Sequence, residues 1–157
     1  MVDSFCVTIK NFDDNIPGTV RNLAFDFMNL EIKLHTLPHE LRTLDLGSLF
    51  DREISPNALP KNLHSLDLGW KFNQVIKPNT LPKNLHTLLL STLFNQEITV
   101  NTFPDGLHTL HMGGLFNREI KPNVLPKHLH TLQLASHFTH EIKPNTLPKY
   151  LHTFEIG

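Results

Sequence analysis

The sequence predicts a mainly β right-handed solenoid of about seven 22-residue coils, with a parallel sheet on one face. Three observations predict this fold. Near-identical segments recur at a spacing of 22 residues, a period typical of stacked repeat proteins. Each copy contains a Leu-x-x-Leu-x-Leu segment that alternates at its end as a half-buried strand does. Each return path is short and rich in proline, which disfavours an α-helix.

Two apolar ladders mark the predicted core. Phenylalanine recurs at Phe50, Phe72, Phe94, Phe116 and Phe138. Isoleucine recurs at Ile32, Ile54, Ile76, Ile98, Ile120 and Ile142. Because a coil cannot bury its apolar face alone, we expect these side chains to point inward and stack on their copies.

The chain is interpreted as one repeat domain, residues 1–157, with a cap and degenerate start at 1–19 and repeats over 20–157. Phe5 to Ile9 has the composition of a strand and is expected to cap the first coil. That coil is one residue short, because Leu23 corresponds to Leu44 only 21 residues later. We place the missing residue near Phe27 and Met28.

In each full coil the strand comes first and an irregular return follows. Alternation points Leu66 and Leu68 inward and Asp67 outward, and the same strand recurs in one direction, so a parallel sheet is expected. Prolines in the return remove backbone donors and break helices. We therefore expect extended or 3₁₀ structure there, with little or no α-helix and a second short strand around Glu97 and Ile98.

Composition excludes several classes of function. With 14 basic and 15 acidic residues, the chain has no charge excess to attract nucleic acid or an anionic membrane. The single cysteine, Cys6, forms no internal disulfide, which favours a reducing, cytoplasmic compartment. Met1 to Lys10 shows no signal peptide. No nucleophile–base pair, paired-carboxylate signature or phosphate loop stands out, so we predict neither an enzyme nor a cofactor.

Histidine forms the clearest polar ladder, continued by Arg42: His64, His86, His108, His130 and His152. Copies in a parallel stack lie ~4.8 Å apart. Imidazole is a common metal ligand, but a straight ladder does not converge four ligands on one ion. We predict a structural stack and no metal site.

Two further ladders are also interpreted as structural. Side-chain amides of the asparagines are expected to bond one another and the turn backbone: Asn57, Asn79, Asn101, Asn123 and Asn145. An acidic stripe, interrupted by Val75, alternates with Lys and Arg and is interpreted as a solvated outer face: Glu53, Glu97, Glu119 and Glu141.

The pattern Phe-Asn-x-x-Ile-x-Pro-Asn-x-Leu-Pro, over roughly residues 15–157, resembles the FNIP repeat. Phe72-Asn73, Phe94-Asn95 and Phe116-Asn117 match it, whereas Asp51 and Thr139 replace the asparagine and Val100 replaces a proline. This family of 22-residue relatives of leucine-rich repeats occurs mainly in social amoebae and giant viruses. The resemblance implies a leucine-rich-repeat-like solenoid and a protein-interaction role.

Candidate partner-binding residues lie on the outward face of the sheet. One outward row is almost invariant: Thr43, Ser65, Thr87, Thr109, Thr131 and Thr153. The next row, which we call the variable row, changes in nearly every coil: Asp45, Asp67, Leu89, His111, Gln133 and Glu155. A protein partner could be recognised there, although drift at exposed positions is the alternative. Trp70 is either a hot spot or a cover over the core edge.

A second hypothesis is self-association. Thr153, Phe154 and Ile156 lie in the last expected strand, whose outer edge would offer unpaired backbone groups. Two such edges could pair antiparallel in a two-fold homodimer. The sequence leaves open whether the natural chain continues into further coils.

Overall fold

The protein forms one eight-stranded parallel sheet in which every strand pairs with the next one along the chain. The structure is a computed structural model and describes residues 6–9, 16–27 and 29–157. The strands are β1 Cys6–Ile9, β2 Asn22–Phe25, β3 Thr43–Asp45, β4 Ser65–Asp67, β5 Thr87–Leu89, β6 Thr109–His111, β7 Thr131–Leu134 and β8 Thr153–Ile156. No helix occurs in the described residues. The predicted leucine-rich-repeat-like solenoid is therefore confirmed.

The register of the sheet confirms where the first coil is short. Leu23 pairs with Leu44, an offset of 21, whereas Leu44 pairs with Leu66 at the regular offset of 22. The offset of 22 is already in place where Asn29 bonds the backbone of Asp51. The change thus falls between β2 and Asn29, as predicted, although Met28 lies outside the described residues. The predicted N-terminal strand forms as β1, and Phe5 also lies outside them.

The core is a stack of equivalent side chains. Rings of Phe50, Phe72, Phe94 and Phe116 are at most 1 % exposed and follow one another at 5.9–6.2 Å with nearly parallel planes. Such spacing is typical of attractive offset aromatic pairs. Phe138 continues the stack at 6.2 Å but is only partly buried. Burial is therefore most complete in the middle of the array.

The solenoid bends toward its sheet. On the sheet side the imidazole rings of successive coils are 4.9–5.2 Å apart. The phenylalanine rings, where the return segment begins, are 5.9–6.2 Å apart. Because equivalent atoms lie closer together on the inside of a bend, the sheet face is concave.

A side-chain ladder supports the return segments. Asn73 Oδ1 accepts a hydrogen bond from the Asn95 backbone N–H at 2.9 Å, and Asn95 Oδ1 accepts one from Asn117 N–H at 3.0 Å. Five residues accept in this way, each from the equivalent residue of the next coil: Asn29, Asp51, Asn73, Asn95 and Asn117. Asp51 can replace asparagine because only the oxygen is needed.

This ladder explains why one prediction was wrong. No second strand forms around Glu97 and Ile98, and no 3₁₀ segment occurs among the described residues. Backbone N–H groups at the start of each return bond to side-chain oxygens rather than to another strand. Prolines further along the return, such as Pro78 and Pro82, have no N–H to offer a strand ladder.

The other asparagine ladder has a different role from the one predicted. No hydrogen bond joins its side-chain amides within the described chain. Instead its members adopt the left-handed conformation, with φ of 60–66°: Asn57, Asn79, Asn101, Asn123 and Asn145. Asparagine tolerates this region better than most residues. In the first complete return, His35 takes the same conformation, with φ 64°.

Replacing Asn95 tests the supporting ladder. Asn95→Ala removes the acceptor for Asn117 N–H and is expected to lower the free energy of unfolding by about 1–3 kcal/mol. Asn95→Asp keeps an oxygen there, as Asp51 does naturally, and should lose clearly less. Urea unfolding of both variants measures this. Equal losses for alanine and aspartate would show that the oxygen is not what matters.

Candidate interaction face

The concave sheet face brings the variable row together as predicted from the sequence. Cross-strand pairing sets Asp67 beside Leu89, Leu89 beside His111, and His111 beside Gln133. Asp45 precedes Asp67 in the same line. All five side chains are partly exposed, while the leucines between the two outward rows, such as Leu88 and Leu110, are fully buried. The row is thus a continuous line of accessible, chemically different side chains.

The first two members of this row also hold the turn after their strands. Asp45 Oδ1 and Asp67 Oδ1 accept hydrogen bonds from the backbone N–H of Gly47 and Gly69, each at 2.8 Å. Gly69 has a φ of 76°, and a Cβ there would lie 1.8 Å from the carbonyl oxygen of Gly47. Burial raises the pKa of the Asp67 carboxyl, the Gly69 bond lowers it, and repulsion from Asp45 raises it further.

The same turn bond is absent from the later coils. Leu89 has no side-chain acceptor, and no hydrogen bond from the side chains of His111 or Gln133 to a described residue is found. Variation at these three positions is therefore not explained by the local turn, and their side chains remain available on the face.

Trp70 lies on the surface just after β4, with 56 % of the residue exposed. Its backbone carbonyl accepts a hydrogen bond from Leu93 N–H at 3.2 Å, which ties this turn to the next coil. The exposed ring argues against the reading of Trp70 as a cover over the core.

The histidine ladder forms a stack as predicted. Its ring centroids are separated by 4.9–5.2 Å, with ring planes tilted by 5–67°. At one end His64 is held, with Nδ1 2.6 Å from the Asn62 carbonyl and Nε2 3.2 Å from Arg42 Nη1. Desolvation lowers the pKa of His108, and repulsion from His130, His86 and then His128 lowers it further. Among the described residues, no group of three or more His, Cys, Asp or Glu could hold a metal ion.

Ion pairs join successive coils along the outer stripe. Lys121 Nζ lies 2.5 Å from Glu97 Oε1, Lys143 Nζ lies 2.5 Å from Glu119 Oε1, and Lys77 pairs with Glu53. The hydrogen bond and charge of each lysine lower the pKa of Glu97 and Glu119. Partners are 24 residues apart. Where Val75 interrupts the stripe, Thr99 stands at the lysine position, so both partners are replaced together.

The last coil is much less covered than the others. All four residues of β8 are exposed, including Phe154 at 40 % and Ile156 at 56 %. Within the described chain β8 pairs only with β7. Thr153, Phe154 and Ile156 therefore lie together on an open edge, beside the partly buried Leu151.

Parallel strands, stacked phenylalanines and side-chain ladders repeated once per coil define a leucine-rich-repeat (LRR)-like solenoid, a scaffold fold rather than an enzyme fold. The chain belongs to the FNIP repeat family, which matches residues 50–93, 94–137 and 116–157. No curated protein matches the chain at a significant level.

The chain is similar over most of its length to a solved structure. It is described as the crystal structure of CroV588, a circular LRR protein, and comes from a giant virus. The two share 38 % identity with a TM-score of 0.83 over 89 % of this chain. The match spans 21 % of that protein, so the chain corresponds to about a fifth of its length. Within the described residues, no helix is long and apolar enough to cross a membrane.

Proposed function

We propose that the protein is an interaction scaffold that binds a protein partner through its concave sheet face. The observation that carries this proposal is the line Leu89, His111 and Gln133. These side chains differ in chemistry, serve no turn, and lie in the centre of a face whose other rows barely change. A rigid scaffold that fixes a few accessible side chains loses little conformational entropy on binding.

Trp70 extends the proposed site toward the turns that follow the strands. An exposed tryptophan on a rigid turn is a typical interface hot spot, because it buries a large area and loses few rotamers. The proposal involves no catalytic step and no cofactor. The scaffold would act in the cytoplasm, where its single cysteine, Cys6, would stay reduced.

Alanine at Trp70 tests the face. A pull-down from the native host with mass spectrometry names the captured protein, and titration calorimetry then measures its affinity. Trp70→Ala is expected to weaken that affinity by at least about tenfold. Lys121→Ala on the outer stripe is the matched control and should change it less than about twofold, because exposed ion pairs contribute little. An equal loss in both variants, or no loss at Trp70, would contradict the proposed face.

A second candidate function, self-association, is favoured by the exposure of β8. An edge strand that carries exposed Phe154 and Ile156 offers backbone donors and acceptors together with apolar area. Two such edges related by a two-fold axis would pair antiparallel and cover both.

Sedimentation tests the homodimer. The wild type is expected to show a concentration-dependent shift from monomer to dimer, and Phe154→Lys plus Ile156→Lys should remain monomeric. Lysine on an edge strand opposes pairing with another edge. A wild type that stays monomeric at all concentrations would exclude the dimer and leave the concave face as the candidate.

A further inference from the structure

The middle of the histidine ladder presents imidazole nitrogens that nothing in the described protein uses. His64 bonds Asn62 and Arg42, but no hydrogen bond to a described residue is found for the rings of His86, His108 or His130. All three are at least partly exposed. Their centroids follow at 5.2 Å and then 4.9 Å. The fold thus holds three ionisable groups in a line, at a fixed repeat, on the concave side.

The charges around these three histidines have mostly one sign. In the variable row the central coils carry Leu89, His111 and Gln133, and the acids Asp67 and Glu155 flank this stretch on either side. Lys83, Asp105 and Lys127 stand three positions before the central histidines, but they line pockets on the return side. The charges that act on His108 come from His130, His86 and His128. Protonation therefore turns the central ladder into a cationic stripe.

We propose that this central ladder binds one face of an acidic α-helix that carries one carboxylate per turn, and binds it more tightly as the imidazoles protonate. This inference deepens the proposed function, because it names a partner class for the same concave face.

The repeat distance favours a helix over other acidic ligands. An α-helix rises ~5.4 Å per turn, within about 0.5 Å of the spacing of the imidazoles. Alternate side chains of an extended peptide repeat at ~6.6–6.8 Å. Phosphates along one strand of duplex DNA repeat at ~3.4 Å. Of these three ligands, only the helix keeps several carboxylates in register with successive coils.

The pH dependence of binding follows from the two kinds of group. A carboxylate beside an imidazole favours the charged ring, so binding takes up protons and tightens as pH falls through the range near ~6.5. Glutamate on the helix loses its charge near ~4.3, which weakens binding again. A maximum between about pH 5 and 6 is therefore expected.

A helix-stabilised peptide of about 15 residues, with glutamates one turn apart on one face, is the probe, because shorter free helices are marginal in water. Fluorescence anisotropy should show affinity for the 157-residue chain at least about tenfold tighter at pH 5.5 than at pH 7.5. Two matched peptides serve as controls: one has the same glutamates spread around the helix, and one has glutamine in their place. Both should bind at least about tenfold more weakly at pH 5.5.

Protein variants locate the site. His86→Gln, His108→Gln and His130→Gln together should abolish the pH-dependent gain, with folding checked by circular dichroism. His39→Gln, His137→Gln and His140→Gln together remove as many histidines away from the ladder and should keep it. Equal binding of the spread peptide, a missing pH dependence, or tighter binding of inorganic polyphosphate or an oligonucleotide would each overturn the proposal. The peptide can bind even if Trp70→Ala leaves the natural partner's affinity unchanged, so the two proposals fail separately.

Discussion

Phe94→Ala is expected to lower the free energy of unfolding by about 3–5 kcal/mol. Phe94 is 1 % exposed and lies between Phe72 and Phe116, with ring centroids 6.2 Å away on both sides. Alanine would leave a cavity between Phe72 and Phe116. Each of these rings is held by its own coil and cannot move in to fill that space. The loss therefore combines burial, aromatic contact and an unfilled space.

Phe138→Ala provides the matched control. Phe138 is partly buried, and within the described chain it stacks on one phenylalanine, Phe116, at 6.2 Å. Coils of a linear array contact only their neighbours, so this change should cost clearly less and loosen mainly the last coil. Urea unfolding gives the two free energies, and hydrogen exchange shows how far each effect spreads. Equal losses spread over the same coils would contradict a linear array.

The sequence predicts the architecture because each coil repeats the same packing problem. Burial of Phe72 and Leu66 requires identical partners above and below, so the period of 22 appears directly in the chain. The short first coil was also predictable, because a deletion shifts every later apolar position. What the period cannot reveal is which atoms bond. Asn73 and Asn79 both recur, and only the structure separates a side-chain acceptor from a left-handed backbone.

The sequence predicted the candidate site as a row of positions. It did not show that some members of the row hold a turn and others do not. Asp45 and Asp67 differ from Leu89 in sequence, and the structure shows that the aspartates hold a turn. The concavity of the face was not predictable, since it depends on the difference between ring spacings on two sides of the coil. The ion pairs between coils could have been predicted from the sequence. Val75 stands where other coils have glutamate, and Thr99, 24 residues later, stands where other coils have lysine. The loss of both partners at this spacing predicts a pair between coils.

Acidification from pH 7.5 to pH 5.0 is expected to destabilise the fold through the histidine ladder. Adjacent imidazolium charges about 5 Å apart repel by roughly 0.8 kcal/mol per pair in water-like surroundings, and so by roughly 3 kcal/mol for four pairs. The pKa of His108 is lowered in the folded protein, by desolvation and then by its neighbours. Between the folded and unfolded values the unfolded chain binds more protons, so stability is intact above this window and falls as pH drops through it.

His86→Gln plus His130→Gln leaves His64, His108 and His152 separated by two coils each. The distance between neighbouring imidazoles then doubles, so the repulsion per pair is roughly halved, and only two neighbouring pairs remain. Urea midpoints at both pH values should show most of the acid sensitivity lost. In the wild type, ring nitrogens of His137 and His140 lie 3.2 Å from the carbonyls of Gly114 and Asn117, away from the ladder. The control variant His137→Gln plus His140→Gln should therefore retain the acid sensitivity. Asp67, with its raised pKa, acts in the opposite direction but is common to all variants. A wild type more stable at pH 5.0, or equal sensitivity in both double variants, would show that ladder repulsion does not control acid stability.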